Sequence, residues 1–449
     1  MAAVVPFIET QQWSFPDYGP QGLSGLGDAA KIELTEQQMI AASNIEQTRL
    51  LYTRTLLQQA LAGRTFQLKR KGNDIKIELS SAFNRETIPW ARSSSNIRTI
   101  SLFSTNSKMR CPTFDLPAGA GVVGGTCPGA LPAQTTSIGR AGSAVEKSGI
   151  LAQRADGKMA LRVMPSVEYN LAKAVCNYCY ATGGKYGEPT VQIAELVRLS
   201  VIKAALQSSE LRKVLIDAIV WQIPQLPYDR WLIGKIKKRD ASGVEEDDDE
   251  ETAADAEPTI TEEDIETPET ILARMGRFES NVVRVHSSGD FFSPKYADMW
   301  LEIARQLYQK YGMRYILWAP TRTHVIPGVA GERAGAVKRR DDEEGAIGFA
   351  EFWARRQTSG MIPPNFVIRP SAYHLGDHAP MAPGLSAGTS VLTPSDAAST
   401  KGIKYDHQCG VYDLKKGNKT CVDAIGPDGK KGCRACWVRP ELRINYVAH

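Results

Sequence analysis

Eight cysteines divide into two sets of four: Cys111, Cys127, Cys176 and Cys179 in the first half, and Cys409, Cys421, Cys433 and Cys436 near the end. Each set closes with a CxxC pair, a spacing that lets two thiolates reach one metal from a single turn. Four thiols satisfy a tetrahedral ion, so the pattern points to structural zinc, an iron–sulfur cluster, or one of each. An even count also suits a disulfide framework, but in a reducing cytosol such pairs are read as metal ligands. The terminal set, Cys409-x11-Cys421-x11-Cys433-x2-Cys436, lies in a short segment rich in Gly and Lys. That segment has too little apolar sequence to fold on its own core, so metal binding would supply its folding free energy, and zinc is the expected ion. His407 precedes it as a spare ligand.

The first set is spread through Gly- and Pro-rich sequence, a loop composition that can wrap a metal. Its thiols must converge from a distance. A radical S-adenosylmethionine enzyme would normally place three cysteines as CxxxCxxC; Cys176-Asn-Tyr-Cys179-Tyr-Ala lacks the first, and Cys111-Pro or Cys127-Pro-Gly-Ala would have to replace it. A second metal or an iron–sulfur cluster is therefore expected at Cys111, Cys127, Cys176 and Cys179.

Two polar loops offer acid–base chemistry. One is His286-Ser-Ser-Gly-Asp290-Phe291, at the end of the strand-like run Asn281 to His286; the other is Pro320-Thr321-Arg322-Thr323-His324, after Met313 to Trp318. In α/β folds the loops that follow the strands carry function. His286 and Asp290 can act as acid, base or nucleophile, and Ser288 can orient a substrate. Arg322 can hold a phosphate or carboxylate in two-point contact, with Thr321 and Phe291 beside the substrate. Ser and Asp also cap helices, but Ser293 before Pro294 is the better cap here, which leaves Asp290 for other work. His374, Asp377 and His378 lie near Gly376 and prolines and read as a loop.

These groups must be positioned by ordinary globular architecture. The chain has 449 residues, 42% of them hydrophobic, enough for a substantial core and two or three modules. The N-terminus lacks a basic leader, and no apolar run approaches the ~20 residues of a membrane span, so a soluble, cytoplasmic protein with no membrane partner is expected. Net charge is +4, but the 14 acidic residues between Gly243 and Glu269 hide a remainder of +18. That remainder suits a polyanion such as nucleic acid, with basic clusters at Lys69-Arg70-Lys71, Lys235 to Arg239 and Lys338-Arg339-Arg340. The acidic run itself, about residues 240–268, reads as a disordered insertion.

A capping box at Thr35 and Gln38 with a stop at Gly63 predicts a helix over residues 35–62. Two strands around the turn Gly72-Asn73-Asp74 follow. Glu188-Pro189-Thr190 opens a long helix toward Trp221. Strand, amphipathic helix Pro294 to Tyr311, and strand make a right-handed parallel unit, with a third strand at Phe366 to Ile368. The expected architecture is a leader over residues 1–100, a TIM-barrel-like or open parallel α/β core over 101–400, and a four-cysteine module over 401–449.

Cys127-Pro-Gly-Ala, Cys176-Asn-Tyr-Cys179-Tyr-Ala, the His286 to Phe291 strand end and the later Thr-Arg strand end together resemble a family of phage proteins of undefined role, over roughly residues 100–440. Ser-Gly-Asp-Phe followed by Pro320-Thr-Arg322 and a terminal cysteine site also looks like the layout of guanine transglycosylases, TIM-barrel enzymes that exchange guanine for a 7-deazaguanine in tRNA or phage DNA. That family has Asp-Ser-Gly-Gly-Phe where this chain has His286 to Phe291, an Asp where it has Ile316, and a three-cysteine, one-histidine zinc site. The resemblance implies base exchange in DNA through a covalent intermediate at a sugar carbon. Asp290 would be the essential carboxylate, Ser288 near the base, and Arg322 on a phosphate or base edge, with a modified base as co-substrate. The alternatives are an iron–sulfur enzyme of divergent radical type and a non-catalytic, zinc-stabilised nucleic-acid-binding protein.

Overall fold

The computed structural model describes residues 11–16, 63–83, 97–106, 111–119, 125–127, 149–153, 159–163, 188–228, 281–323, 349–372, 385–392 and most of 405–447, with single positions between 54 and 61 and at 181 and 186. Cys176, Cys179, the acidic run and the His374 to His378 loop lie outside them, as do the basic clusters at 235–239 and 338–340.

The fold is mixed α/β. Its central sheet is built from β5 (Ser104–Asn106), β6 (Cys111–Phe114), β9 (Asn281–Val285), β10 (Tyr315–Thr321) and β11 (Phe366–Pro370), in the order β11-β10-β9-β6-β5. The contacts β6 to β9, β9 to β10 and β10 to β11 are parallel, and β5 is an antiparallel edge. Among the described residues this sheet is open, with β11 and β5 at its edges.

The strands read as unbroken apolar runs because both faces are covered. Val283, Val285, Leu317, Ala319, Phe366 and Ile368 point into the main core. Val282, Ile316, Trp318 and Val367 point the other way, onto Trp437 and Val438. The first face carries α1 (Pro189–Gln207), α2 (Ser209–Gln222) and α3 (Pro294–Tyr311). Trp300 of α3 is fully buried and meets Phe114 of β6 edge to face, with ring centroids 5.2 Å apart.

The helix boundaries follow local chemistry. Ser293 caps α3 by accepting from the backbone N–H of Tyr296 at 3.3 Å, and Pro294 occupies its first turn. The single long helix expected from Glu188 to Trp221 is instead two. The backbone of Ser208 turns extended, and its hydroxyl accepts from Leu211 N–H at 3.2 Å, which starts α2. A serine that can cap a new helix competes with continuing the old one.

The hairpin of β2 (Thr65–Lys71) and β3 (Asp74–Phe83) pairs with β1 (Trp13–Ser14) and β4 (Ile97–Ser101) in an antiparallel sheet. Gly72 takes a φ of +63°, the conformation its two-residue turn needs at the first position. Phe66, Leu68, Ile75, Ile77 and Leu79 share one core with α1 and α2, as do Leu57 and Leu61 from the expected N-terminal helix. Residues of β7 (Gly149–Gln153) and β8 (Met159–Val163) form a separate hairpin.

Behind the central sheet lie β12 (Thr389–Leu392), β13 (His407–Gln408), the one-turn helix α4 (Ala435–Val438) and β14 (Ile444–Val447), with strand order β12-β14-β13. No helix among the described residues is long and apolar enough to cross a membrane.

Candidate functional site

The parallel strands end at one edge, and the loops that leave them are locked together. After β6 the chain runs Asp115-Leu116; after β9 it runs His286 to Phe291. His286 N–H donates to Phe114 O at 3.0 Å, Leu116 N–H to Ser288 O at 3.1 Å, and the Ser288 hydroxyl to Leu116 O at 2.8 Å. This contact requires unusual backbone. Gly289 has a φ of +83°, and a Cβ there would lie 2.5 Å from Thr126 Oγ1 and 2.8 Å from Leu116 O. His286 holds a φ of +68°, the one described non-glycine residue in that region, a conformation that costs energy and concentrates at functional sites.

Asp290 fastens three segments. Its Oδ1 accepts from Phe291 N–H at 2.7 Å and from the Thr321 hydroxyl at 2.6 Å, and its Oδ2 accepts from Arg322 N–H at 3.0 Å. Its own N–H donates to Thr126 Oγ1 at 3.2 Å. Burial raises its pKa, opposed by the bonds from Arg322, Thr321 and Phe291. Thr321 also contacts Thr323, whose hydroxyl accepts from Trp353 Nε1 at 2.9 Å. The Arg322 guanidinium reaches Ala372 O at 3.1 Å. Asp290, Thr321 and Arg322 therefore meet, as their loop positions predict, but the carboxylate is engaged as a strut.

A second carboxylate, Asp115, is placed one residue beyond β6. Its Oδ1 accepts from Thr113 Oγ1 at 2.7 Å and from Ser287 N–H and Oγ at 2.8 and 2.6 Å, and its Oδ2 accepts from Ser104 Oγ at 2.8 Å. Burial would raise its pKa, but the bonds from Ser287, Thr113 and Ser104 and the charge of Arg198 together hold it below its ordinary value.

Glu195 of α1 behaves in the opposite way. It is 1% exposed, and its Oε1 has no hydrogen-bond partner. Burial, with Asp115 nearby, pushes its pKa up to about 8 against the pull of Arg54, Ser288 and Arg198, so at neutrality it holds a proton. Its Oε2 accepts weakly from Gln192 Nε2 at 3.3 Å, and Arg54 reaches Gln192 Oε1 at 2.8 Å and Ala118 O at 2.8 Å.

His286 sits between these groups and the aromatic core. Its Nε2 lies 2.8 Å from Tyr296 Oη, and its Nδ1 has no partner. Burial lowers its pKa to about 3, so the ring is neutral. Phe291 packs edge-on against it at 4.8 Å and is fully buried, as a wall of the core rather than a surface for substrate.

Residues 251–334 match the family model of Gene product 88, a phage protein family. No curated protein and no solved structure matches the chain. Within its described part, the Gene product 88 match covers β9, the His286 to Asp290 loop, α3 and β10. The coarser of the two sequence resemblances, to a phage protein family, is thus supported.

Cys111 and Cys127 of the first cysteine set lie in separate clusters. Cys111 faces the back of the sheet, among Val282, Trp318 and Trp437, with Cys421 and Cys436 packed against the same cluster. Cys127 lies at the functional edge, packed with Ala118 and Ala181. The strand geometry decides this, because alternate residues of β6 face opposite sides and Phe114 takes the core side. Cys176 and Cys179 are outside the described residues. Cys409 and Cys433 share a cluster with Ala424, Ala435 and Ile444, against which Cys421 and Cys436 pack. Among the described residues no three thiol, imidazole or carboxylate groups already stand in metal-coordinating positions.

Asp115, Glu195, Arg198 and Arg54 were not singled out by the sequence reading. One signal was available: Gln192, Glu195 and Arg198 form a polar stripe at three-residue spacing in an otherwise apolar helix, and all three are buried. Of the basic clusters, Lys69 pairs with Glu78 at 3.3 Å and Arg70 stacks over Trp221 at 4.5 Å.

Two outcomes follow from these environments. The unfolded chain ionises Glu195 near its ordinary pKa of 4.5, whereas the fold keeps it protonated to about 8. The native state binds the extra proton across that window, so wild-type stability falls as pH rises through it. Glu195→Gln should therefore gain melting temperature over wild type at about pH 8, with little difference near about pH 4; parallel melting curves across that range would refute the assignment. Asp290→Ala leaves the Thr321 hydroxyl and the Phe291 and Arg322 N–H groups without their acceptor. Denaturant unfolding should show a loss of about 1–3 kcal/mol, whereas an unchanged midpoint would deny the strut.

Proposed function

We propose that this chain is an iron–sulfur enzyme whose cluster is held by Cys127, Cys176 and Cys179 over the C-terminal edge of the parallel sheet. One observation carries the reading: Cys127 packs against Ala181, two residues beyond Cys179 in sequence, while Cys111 is committed to the opposite face. Cys127 and Ala181 come from the two ends of the segment between β6 and α1, and the proposal adds Cys176 and Cys179 from their closeness in sequence to Ala181. Three thiolates around a four-iron cluster leave one iron open for a cofactor or substrate, the feature that separates a reactive centre from a structural one.

The surrounding residues suit that role. Thr126, next to Cys127, touches both Gly289 and Asp290, so the His286 to Asp290 loop borders whatever the thiols hold. Asp290 fixes that loop to β10, and Asp115 fixes Ser287. Glu195, protonated and with one oxygen unpartnered, is available to donate a proton or a hydrogen bond. The net +18 outside the acidic run suits a nucleic-acid substrate, DNA in the first instance.

A second reading is base exchange, guanine for a 7-deazaguanine, with an essential carboxylate. It is favoured by the direct bonds of Asp290 to Thr321 and Arg322, which join the two loops on which the transglycosylase resemblance rests. The saturated, buried state of Asp290 fits a positioning carboxylate better than a nucleophile, which ranks this reading second.

Anaerobically purified protein should be brown, with on the order of four iron and four sulfide per chain, and Cys127→Ala should lose them while its far-ultraviolet circular dichroism is retained. A colourless protein in which Cys127→Ala changes no metal would remove the cluster. Mass spectrometry of nucleosides from DNA made with and without the protein separates the chemistries: a 7-deazaguanosine product that forms without iron and disappears in Asp290→Ala would establish base exchange instead.

A further inference from the structure

Arg369 of β11 is fully buried, and its charge has no carboxylate within ion-pair distance among the described residues. A guanidinium offers five N–H donors, and here they are met by five backbone carbonyls. Nε donates to Cys436 O at 3.2 Å, Nη1 to Ala387 O and Leu442 O at 2.5 and 2.6 Å, and Nη2 to Ala435 O and Arg439 O at 3.3 and 3.0 Å. Four of these carbonyls belong to residues 435–442, the helix and turn that include Cys436. The carbonyls satisfy the hydrogen bonds but not the charge, and an isolated buried cation is expensive. The ionisable groups facing Arg369 are Cys436, Tyr446 and Glu441, and Glu441 is half exposed and paired with Arg439.

The thiols supply the missing counter-charge if they are deprotonated on a metal. Cys409, Cys421, Cys433 and Cys436 pack into one cluster, and each end of it has a polar neighbour: Tyr446 Oη lies 3.2 Å from Cys436 Sγ, and His407 Nε2 lies 3.4 Å from Cys433 Sγ. Four thiolates around a divalent ion carry a double negative charge. Such a centre needs outer groups that donate to sulfur and balance the charge.

We propose that Cys409, Cys421, Cys433 and Cys436 bind one zinc ion, and that Arg369 is its buried counter-charge, with Tyr446 and His407 donating to the sulfurs. The ion draws the four thiols from packing contact into coordination. Arg369 then joins the metal centre to β11, so the zinc fastens the terminal segment to the back of the parallel sheet, where Trp437 covers Trp318 at a ring separation of 6.5 Å. Cys111 lines the same region from β6 and is not a ligand. This inference is independent of the iron–sulfur proposal, because Cys127 packs with Ala118 and Ala181, whereas the four terminal cysteines belong to a separate cluster.

The test is metal analysis of the full-length chain, with zinc and iron counted separately. Wild type should hold about one zinc per chain, retained in Cys127→Ala and in Cys111→Ser, and lost in Cys421→Ser and Cys433→Ser. Competition with a chromophoric chelator should show zinc affinity weakened about 10–100-fold in Arg369→Met and less in Arg369→Lys, which keeps the charge. Tyr446→Phe, a milder change that removes only the hydroxyl on Cys436, should weaken it about tenfold with unchanged circular dichroism. Wild type without zinc, or full zinc in the Cys421 and Cys433 variants, overturns the site. Arg369→Met and Tyr446→Phe proteins that bind zinc as tightly as wild type overturn the outer-sphere assignment.

Discussion

The arrangement at the sheet edge depends on the carboxylate of Asp290. Through it the loop after β9 is tied to the end of β10 by Thr321 and Arg322, and through its N–H to Thr126 on the cysteine-bearing loop. A buried carboxylate is tolerable only when its oxygens are hydrogen-bonded, and three donors meet that demand. The neighbouring backbone takes positive φ at His286 and Gly289. Tight packing of Leu116 and Thr126 against Gly289 explains why no side chain fits there.

Around this strut, charge is distributed by environment. Asp115 and Glu195 lie close enough to influence one another, yet one is held ionised by four hydrogen bonds and the other neutral by desolvation. Two carboxyl groups with opposite protonation at neutrality give a site one acid and one anion from the same chemical type. The neutral His286 adds an imidazole nitrogen with no partner. Thr126, the residue before Cys127, bonds the same loop through Asp290 N–H. The back face carries a different problem, a buried cation, and its nearest answer is a cluster of thiols.

The local elements were legible in the sequence wherever one short-range signal dominated. Ser293-Pro294 marks the start of α3, Gly72-Asn73 marks the hairpin, and the apolar runs at 281–286 and 313–318 overlap two parallel strands, β9 and β10, whose faces are both covered. The break at Ser208 was missed because a cap inside an apolar helical stretch is a weak signal against strong periodicity. Phe291 looked like a substrate contact by position, but packing against His286 and Trp353 places it in the core.

Residue order alone shows two cysteine groups, a Ser-Gly-Asp loop, a Thr-Arg loop, and a long acidic run in an otherwise basic chain. It also put Asp290, Thr321 and Arg322 in one candidate site, because loops that follow neighbouring parallel strands emerge at the same edge. Only the tertiary structure separated Cys111 from Cys127, since the face to which a strand residue points depends on the register of its whole sheet. Only the tertiary structure brought Glu195 beside Asp115 and Arg369 beside Cys436, across 80 and 67 residues of chain. Contacts of that separation leave no trace in spacing, because they are fixed by how helices and strands pack rather than by the turn that follows each one.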